Sequence, residues 1–423
     1  MFKLLVLDTS YSFEAISNLG LEDSVTCRDL DGFFDHVWTV HPFGTLVTSS
    51  QWKNKYGRPD IYQLADAHTF IEGKMGLFKV FSKITFLNFL IGQIHIFFYL
   101  VKLVKKEKIS VIRVGSPLYV GLFGFALSRW CKIPFVVRVG GNHDKMYETT
   151  GEPQEKRLFR HRRVEKLVER FVFPRAHLVA GANQDNLNFA MNNGARPERS
   201  TLFRYGNLID KRHFVEPSQR DGGNDLLDEI GMGDSKFLLY VGRLESVKHP
   251  DDVIRVLAQL VKRGYEIKAI LAGDGKLRSN LENFARTLGV EDRTLFVGNV
   301  DQDWLARVIP LATVVVSPHT GRALSETALG GAPIVAYDVD WQGELIETGV
   351  TGELVLHGDY DAMAKSVQLY LNNQIYAQKM GDAVRKRCSE MMNTTALNNH
   401  EREQYFKVIM MNNQKSSFGS KSA

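Results

Sequence analysis

The sequence predicts an α/β protein built from two doubly wound, Rossmann-like domains. Three observations carry this. Short apolar and β-branched runs alternate with helical patterns along the chain, a turn-rich polar stretch divides them into two sets, and the residues able to handle charge stand where strands end. In the first set strands are expected at 3–7, 36–40, 111–114, 135–139, 178–180 and 201–204. In the second they are expected at 237–241, 268–272, 294–297, 313–317, 334–337 and 353–356. Val253, Ile254, Val256, Leu257, Leu260 and Val261 recur at helical spacing, one amphipathic crossover between strands. No fixed-period repeat is visible.

The dividing stretch, 216–236, holds Pro217-Ser218-Gln219, Asp221-Gly222-Gly223 and Gly231-Met232-Gly233, with little material for a core. The expected domains are therefore 1–215 and 216–395, followed by a C-terminal helix and tail, 396–423. Helical patterning there runs to about Met411, and 412–417 has the composition of a frayed end. Of the 423 residues, 44% are hydrophobic and 24% charged, and 53 Lys+Arg against 48 Asp+Glu leave a net charge of +5. That balance excludes a disordered or collagenous chain and argues against a nucleic-acid partner. Cys27, Cys131 and Cys388 lie too far apart for a metal cluster or a disulfide framework, which fits a reducing, cytoplasmic compartment. The apolar run before Asp8 is too short for a signal peptide and reads as a first buried strand. The most membrane-like stretch, 84–104, is interrupted by Asn88, Gln93, His95 and Lys102. It reads first as a long buried helix, with a spanning helix or an interfacial one carrying Lys102, Lys105, Lys106 and Lys108 as the alternatives.

Four successive strand ends of the second set carry chemistry. Strand 237–241 runs into Gly242-Arg243-Leu244-Glu245-Ser246-Val247-Lys248, where a glycine permits a sharp turn and two cations suit a diphosphate. The next ends in Gly273-Asp274-Gly275, whose glycines are expected to expose backbone N–H groups, and the next in Val297-Gly298. The fourth continues as Pro318-His319-Thr320-Gly321-Arg322-Ala323-Leu324-Ser325-Glu326 into a helix, and Glu326 is an acceptor suited to a ribose diol. Ligands of doubly wound sheets sit outside the carboxyl ends of the strands, so a cleft between two such domains is the expected active site.

In their order and spacing these pieces resemble glycosyltransferase family 4, the retaining nucleotide-sugar enzymes of the GT-B fold. The resemblance runs from Tyr240-Val241-Gly242-Arg243-Leu244 to Gly331-Ala332-Pro333, and on to Glu344-Leu345-Ile346 and Gly349-Val350-Thr351-Gly352-Glu353. Asn207-Leu208-Ile209-Asp210 with Phe214 resembles the element that closes the family's first domain. The resemblance implies two Rossmann-like domains facing each other across a cleft. It implies that Arg243 and Lys248 bind the donor diphosphate and that Glu326 holds the ribose. Gly242, Gly273, Asp274, Gly275, Val297, Gly298, His319, Thr320, Gly321, Arg322, Ala323 and Leu324 then complete a donor site. One departure stands out: the family's earlier glutamate, which contacts the donor sugar, is replaced by Pro318.

In the first domain, strand 135–139 leads into Gly140-Gly141-Asn142-His143-Asp144, near the place where family members carry a histidine facing the donor sugar. His143 is the corresponding catalytic candidate, and Asp8, Ser10 and Asn142 are the candidates for acceptor binding. Asp338-Val339-Asp340 invites a metal reading, but in this architecture Arg, Lys and helix N-termini handle the donor's charge, so no metal and no other cofactor is expected. The basic stretch 156–175 contains eight Lys and Arg around an apolar stripe of Val164, Leu167, Val168, Phe171 and Val172. A solvated face is the simplest reading of it, with anionic lipid or a lipid-diphosphate acceptor as the alternative. The expected partners are a nucleotide-sugar donor, a glycan or lipid-linked acceptor and an anionic membrane surface. An epimerase or phosphorylase on the same scaffold, or a binding protein without turnover, are the competing readings.

Overall fold

A computed structural model describes residues 2–19, 21–44, 55–319 and 321–419. The chain forms two compact units, Met1–Leu208 with the segment from Thr394 onward, and Ile209–Asn393.

The first unit holds an eight-stranded sheet: β1 (Phe2–Leu7), β2 (Phe34–His41), β3 (Asp60–Ala65), β4 (His68–Glu72), β5 (Val111–Val114), β6 (Phe135–Val139), β7 (Leu178–Gly181) and β8 (Ser200–Leu202). Their order across the sheet is β3-β4-β2-β1-β5-β6-β7-β8, parallel throughout except that β3 runs antiparallel to β4. Both faces are covered, as a parallel sheet requires. Along β1, Leu5 and Leu7 join one apolar cluster and Leu4 and Val6 the other, the period-two alternation of a strand. The helices Thr85–Glu107, Tyr119–Cys131 and Arg162–Val172 contribute Leu100, Leu127 and Val172 to the first cluster.

The second unit holds β9 (Phe237–Val241), β10 (Lys268–Ala272), β11 (Thr294–Gly298), β12 (Val314–Ser317), β13 (Ile334–Tyr337) and β14 (Glu353–Val355), all parallel and ordered β11-β10-β9-β12-β13-β14. Phe237, Leu239 and Val241 pack on one side of this sheet and Leu238 and Tyr240 on the other, where Val253, Val256, Leu257 and Leu260 of the helix Pro250–Lys262 cover them.

Three expectations are corrected here. The unit boundary falls at Leu208/Ile209, ahead of 215/216, because Ile209 is buried in the second unit's core and the buried His213 hydrogen-bonds Gln302 at 2.7 Å. The C-terminal segment is part of the first unit. Its helix, Thr394–Gly419, buries Tyr405, Val408 and Ile409 against Leu4, Val6 and Val111. That helix also continues through 412–417, where composition suggested fraying, and Asn412 donates to the Lys132 carbonyl at 3.2 Å. Strands β3 and β4 had no sequence signal: β3 is an edge strand with no buried residue, and fully buried β4 carries the polar His68, Thr69 and Glu72.

Candidate active site

In a doubly wound sheet the strand order reverses where two neighbouring strands send their connections to opposite sides, and ligands bind outside the carboxyl ends there. In the second unit that point lies between β9 and β12. The segment after β9 carries Arg243 and Lys248, and the segment after β12 carries His319 to Glu326.

The two segments are in contact. The His319 Nδ1–H donates to the Val247 carbonyl at 3.0 Å, while its Nε2 lies 3.6 Å from Asp340. A Cβ on Gly321, which has φ +66°, would come 3.5 Å from the Lys248 Nζ. Gly321 therefore combines left-handed backbone with close passage of a cation. Beneath them, buried Gln342 donates to the carbonyls of Pro318 (2.9 Å) and Tyr337 (2.7 Å) and accepts from the Ser317 hydroxyl at 3.2 Å. Sequence reasoning missed this clamp. A lone Gln beside an Asp-Val-Asp run gave no reason to single it out.

Burial and the nearby Arg243 push Lys248 below its ordinary lysine value, so an anion placed between the two cations is favoured electrostatically. Arg243 itself is exposed and ion-paired with Glu245 at 3.1 Å. His249, at φ 50°, ends this turn, and Pro250 opens the following helix. Glu326 lies in the helix Ala323–Leu329, 4% exposed, with its carboxylate 3.7 Å from the Arg322 Nε.

The glycines have a different role from the one expected. The Gly242 N–H donates to the Ala272 carbonyl (2.9 Å), that of Gly273 to the Gly298 carbonyl (2.7 Å), and that of Gly275 to the Asp274 carboxylate (2.7 Å). These donors are committed within the unit. What the site needs from Gly273 is space, since a Cβ there would sit 2.0 Å from the Gly242 carbonyl oxygen. Leu324 is fully buried in the core, and Val297 and Ala323 pack against it, so their side chains serve the fold. Thr320 lies outside the described residues.

The first unit has its own switch point, between β1 and β5. A cavity of about 750 Å³ opens there, lined by Asp8, Ser10, His143, Glu155, Lys156 and Tyr205 among others. Asp8 is committed to the fold, accepting from Arg28 at 2.5 Å and from the Ser10 amide and hydroxyl at 2.9 and 2.6 Å. Burial opposes its charge, but Arg28 and Ser10 outweigh it and hold its carboxyl well below the ordinary range. Asn142 is absent from the cavity lining. Its carbonyl oxygen caps the helix His143–Thr150, accepting from the Asp144 and Lys145 amides, and its amide donates to Asp185.

His143 does line the cavity, with Nδ1 2.7 Å from Glu169. Glu169 also receives both terminal nitrogens of Arg162 at 2.7 Å, and Arg162 reaches Asp144 at 3.0 Å. The helix Arg162–Val172 thus turns Arg162, Glu165 and Glu169 inward, whereas Val164, Leu167 and Phe171 of the expected apolar stripe are exposed. The expected stripe is therefore split, Val168 and Val172 packing on the core while the other three face outward, because the inward charges are paired with one another and with His143. Glu155 was missed by sequence reasoning. It accepts from the Tyr119 amide at 3.3 Å, and burial raises its carboxyl to about 7.

Residues 228–387 match the family model of glycosyl transferases group 1. Among curated proteins the chain is similar to the alpha-D-kanosaminyltransferase of Streptomyces kanamyceticus, 30% identical over 162 residues, 37% of this chain and 42% of the relative. It is also similar to the N-acetyl-alpha-D-glucosaminyl L-malate synthase of Bacillus anthracis, 26% identical over 209 residues, 48% of this chain and 53% of the relative. These alignments span about half of each relative's length. Among solved structures, the Anabaena protein HepE in complex with UDP aligns over 96% of this chain and 100% of its own, with a TM-score of 0.70 and 19% identity. The sucrose-phosphate synthase of Thermosynechococcus elongatus aligns over 97% and 100%, with a TM-score of 0.72 and 17% identity. The chain has the GT-B fold, and the segment that matches glycosyl transferases group 1, 228–387, lies within the second unit and carries its switch point.

Proposed function

We propose that the chain is a retaining glycosyltransferase that moves a sugar from a nucleotide-diphosphate sugar to a glycan, polysaccharide or lipid-linked acceptor. The observation that carries this reading is the meeting of the Lys248 and Gly321–Glu326 segments at the switch point of the second sheet, with Arg243 alongside. The names of the curated relatives and the UDP bound in the HepE structure support it.

Glycosyl transfer builds negative charge on the departing diphosphate and positive charge at the anomeric carbon. Arg243 and Lys248 hold the diphosphate as its charge grows, the kind of contact worth ~10²–10³-fold each. Glu326 accepts from the ribose diol, and the departing phosphate oxygen takes the acceptor's proton, so neither a metal nor a protein base is required. In the first unit the cavity at the β1/β5 switch point takes the acceptor. With Nδ1 committed to Glu169, His143 has Nε2 left for substrate. The chain works in the cytoplasm, peripherally on the inner face of the membrane when the acceptor is lipid-linked.

The test is a panel of nucleotide sugars incubated with and without candidate acceptors, followed by mass spectrometry and by NMR of the new linkage. Nucleoside diphosphate released only with acceptor, and a product of unchanged anomeric configuration, supports transfer with retention. Release without acceptor indicates an epimerase or hydrolase, and binding without turnover a non-catalytic protein.

A further inference from the structure

The first unit exposes apolar surface where a soluble face would be polar. Every residue from Phe78 to Leu87 is exposed, including Val80 (81% exposed), Ile84 and Phe86 (74%). Along the helix Thr85–Glu107 the exposure continues at Leu87, Leu90, Ile94 and Phe98, a helical stripe. The opposite face is fastened to the unit. Ile96, Leu100 and Val104 enter the core, Gln93 joins the Pro42 carbonyl and the Tyr119 hydroxyl, and Asn88 bonds both backbone groups of Phe78. A helix held by buried amides on one side cannot be surrounded by lipid, so the sequence expectation of a mostly buried helix holds for one face only.

Two neighbouring helices extend the surface. Trp130 (57% exposed) of Tyr119–Cys131 packs edge-on against Phe98 at 5.8 Å, and Phe125 of the same helix meets Phe171 of Arg162–Val172 at 5.3 Å. On that third helix Leu167 is 68% exposed beside Val164, because its inward face is occupied by the Arg162–Glu169 pair. The charge around this surface has one sign. Residues 78–108 carry six lysines against a single carboxylate, Glu107, which is paired with Lys3 at 3.2 Å. Lys105 and Lys106 continue the helix toward its C-terminal end, Arg129 and Lys132 flank Trp130, and Arg163 and Arg170 flank Leu167, all exposed.

We propose that the exposed faces of Thr85–Glu107, Tyr119–Cys131 and Arg162–Val172 are a docking surface for an anionic lipid bilayer. The helix Thr85–Glu107 lies in the interface instead of crossing it. Phe86, Leu90 and Ile94 enter the acyl boundary, Trp130 sits at headgroup level, and the lysine stems reach outward so that their ammonium groups meet lipid phosphates. The proposal rests on the peripheral location given above and adds the surface and the manner of attachment. Charge decides between lipid and a second copy of the chain: two copies would oppose one cationic rim to another, whereas an anionic bilayer neutralises both kinds of feature at once.

The experiment is co-sedimentation of the full chain with vesicles of phosphatidylcholine alone and with one third phosphatidylglycerol, at low and high salt. Calorimetric binding of nucleotide sugar is measured on the same preparations. Wild type should pellet with the anionic vesicles only and be released by salt. Phe86→Glu with Leu90→Glu should lower partitioning by ~10-fold or more. Lys105→Glu with Lys106→Glu, both exposed, should remove the preference for anionic lipid without changing the melting temperature. Absence of vesicle binding, or equal binding to both vesicle types, overturns the proposal. So does a dimer without vesicles that the Phe86→Glu, Leu90→Glu variant dissolves, or resistance of the bound protein to alkaline extraction, which marks a spanning helix. Donor binding that persists while vesicle binding fails defeats the docking surface alone. Vesicle binding without donor binding defeats the transferase reading and leaves the surface standing.

Discussion

Lys248 and Arg243 sit in different surroundings. Lys248 is partly buried, disfavoured as a cation by burial and by its neighbour, and touches the segment after β12, whereas the Arg243 guanidinium is 68% exposed and must leave Glu245 to reach a ligand. Both contacts strengthen as the departing diphosphate gains charge, so Arg243→Ala and Lys248→Ala should each lower kcat/KM by ~10²-fold with unchanged melting temperature. Steady-state kinetics of the two variants checks this. His319 and Arg322 should separate in the same assay. His319 braces the Lys248 turn through the Val247 carbonyl, so His319→Ala should weaken free nucleoside diphosphate as well as donor sugar. Arg322, exposed at the entrance to its helix, should alter the ranking of donor sugars more than nucleotide affinity, a difference calorimetry with both ligand types reads directly.

Among the elements, the C-terminal helix is the one whose place the sequence did not indicate. Its periodicity is legible, but nothing in one helix says which of two sheets it covers. That is decided by Tyr405, Val408 and Ile409 meeting Leu4, Val6 and Val111, and by buried Glu401 facing Arg113 and Arg138. Tyr405 is fully buried against Phe34 and Phe203, so Tyr405→Ala should destabilise the first unit by ~3–5 kcal/mol, measured by denaturant unfolding followed through that unit. Most of the twelve strands that were legible are buried apolar runs, whereas of the two that were missed β3 buries no residue and β4 carries polar ones. The donor segments were legible for a related reason: a strand end, a glycine and a charge are local in sequence. Gln342 and Glu155 act through contacts distant in sequence, the first with Ser317 and Pro318 and the second with Tyr119. The helix Arg162–Val172 misled in part because amphipathic periodicity does not reveal that some apolar residues turn outward where charges pair inward.

For the molecule as a whole, two sets of buried groups oppose one another in their response to pH. Burial raises Glu72 and Glu155 to about 7, so the stability that their protonated forms contribute is complete below the ordinary glutamate value and is lost as pH rises toward 7. Burial lowers His41 to about 4, so the stability of its neutral form is complete above the ordinary histidine value and is lost as pH falls toward 4. The two sets offset one another in part where their ranges overlap, and there the two glutamates outweigh the one histidine. Relative to Glu72→Gln or Glu155→Gln, wild type should lose stability steadily from pH 4.5 to about 7, and relative to a neutral substitute at His41 it should lose stability as pH falls from 6.5 to about 4, as melting temperatures across pH will read. The central claim is that the switch point of the second sheet binds a nucleotide-diphosphate sugar, and it is tested most directly by thermal unfolding of the chain against a panel of nucleoside diphosphates and their sugars. A ligand at 100 times its dissociation constant adds ~2.7 kcal/mol. At least one nucleotide should stabilise wild type to that degree and lose the effect in Lys248→Ala and Glu326→Gln. Stabilisation by none of the panel, or stabilisation that both variants retain, would contradict it.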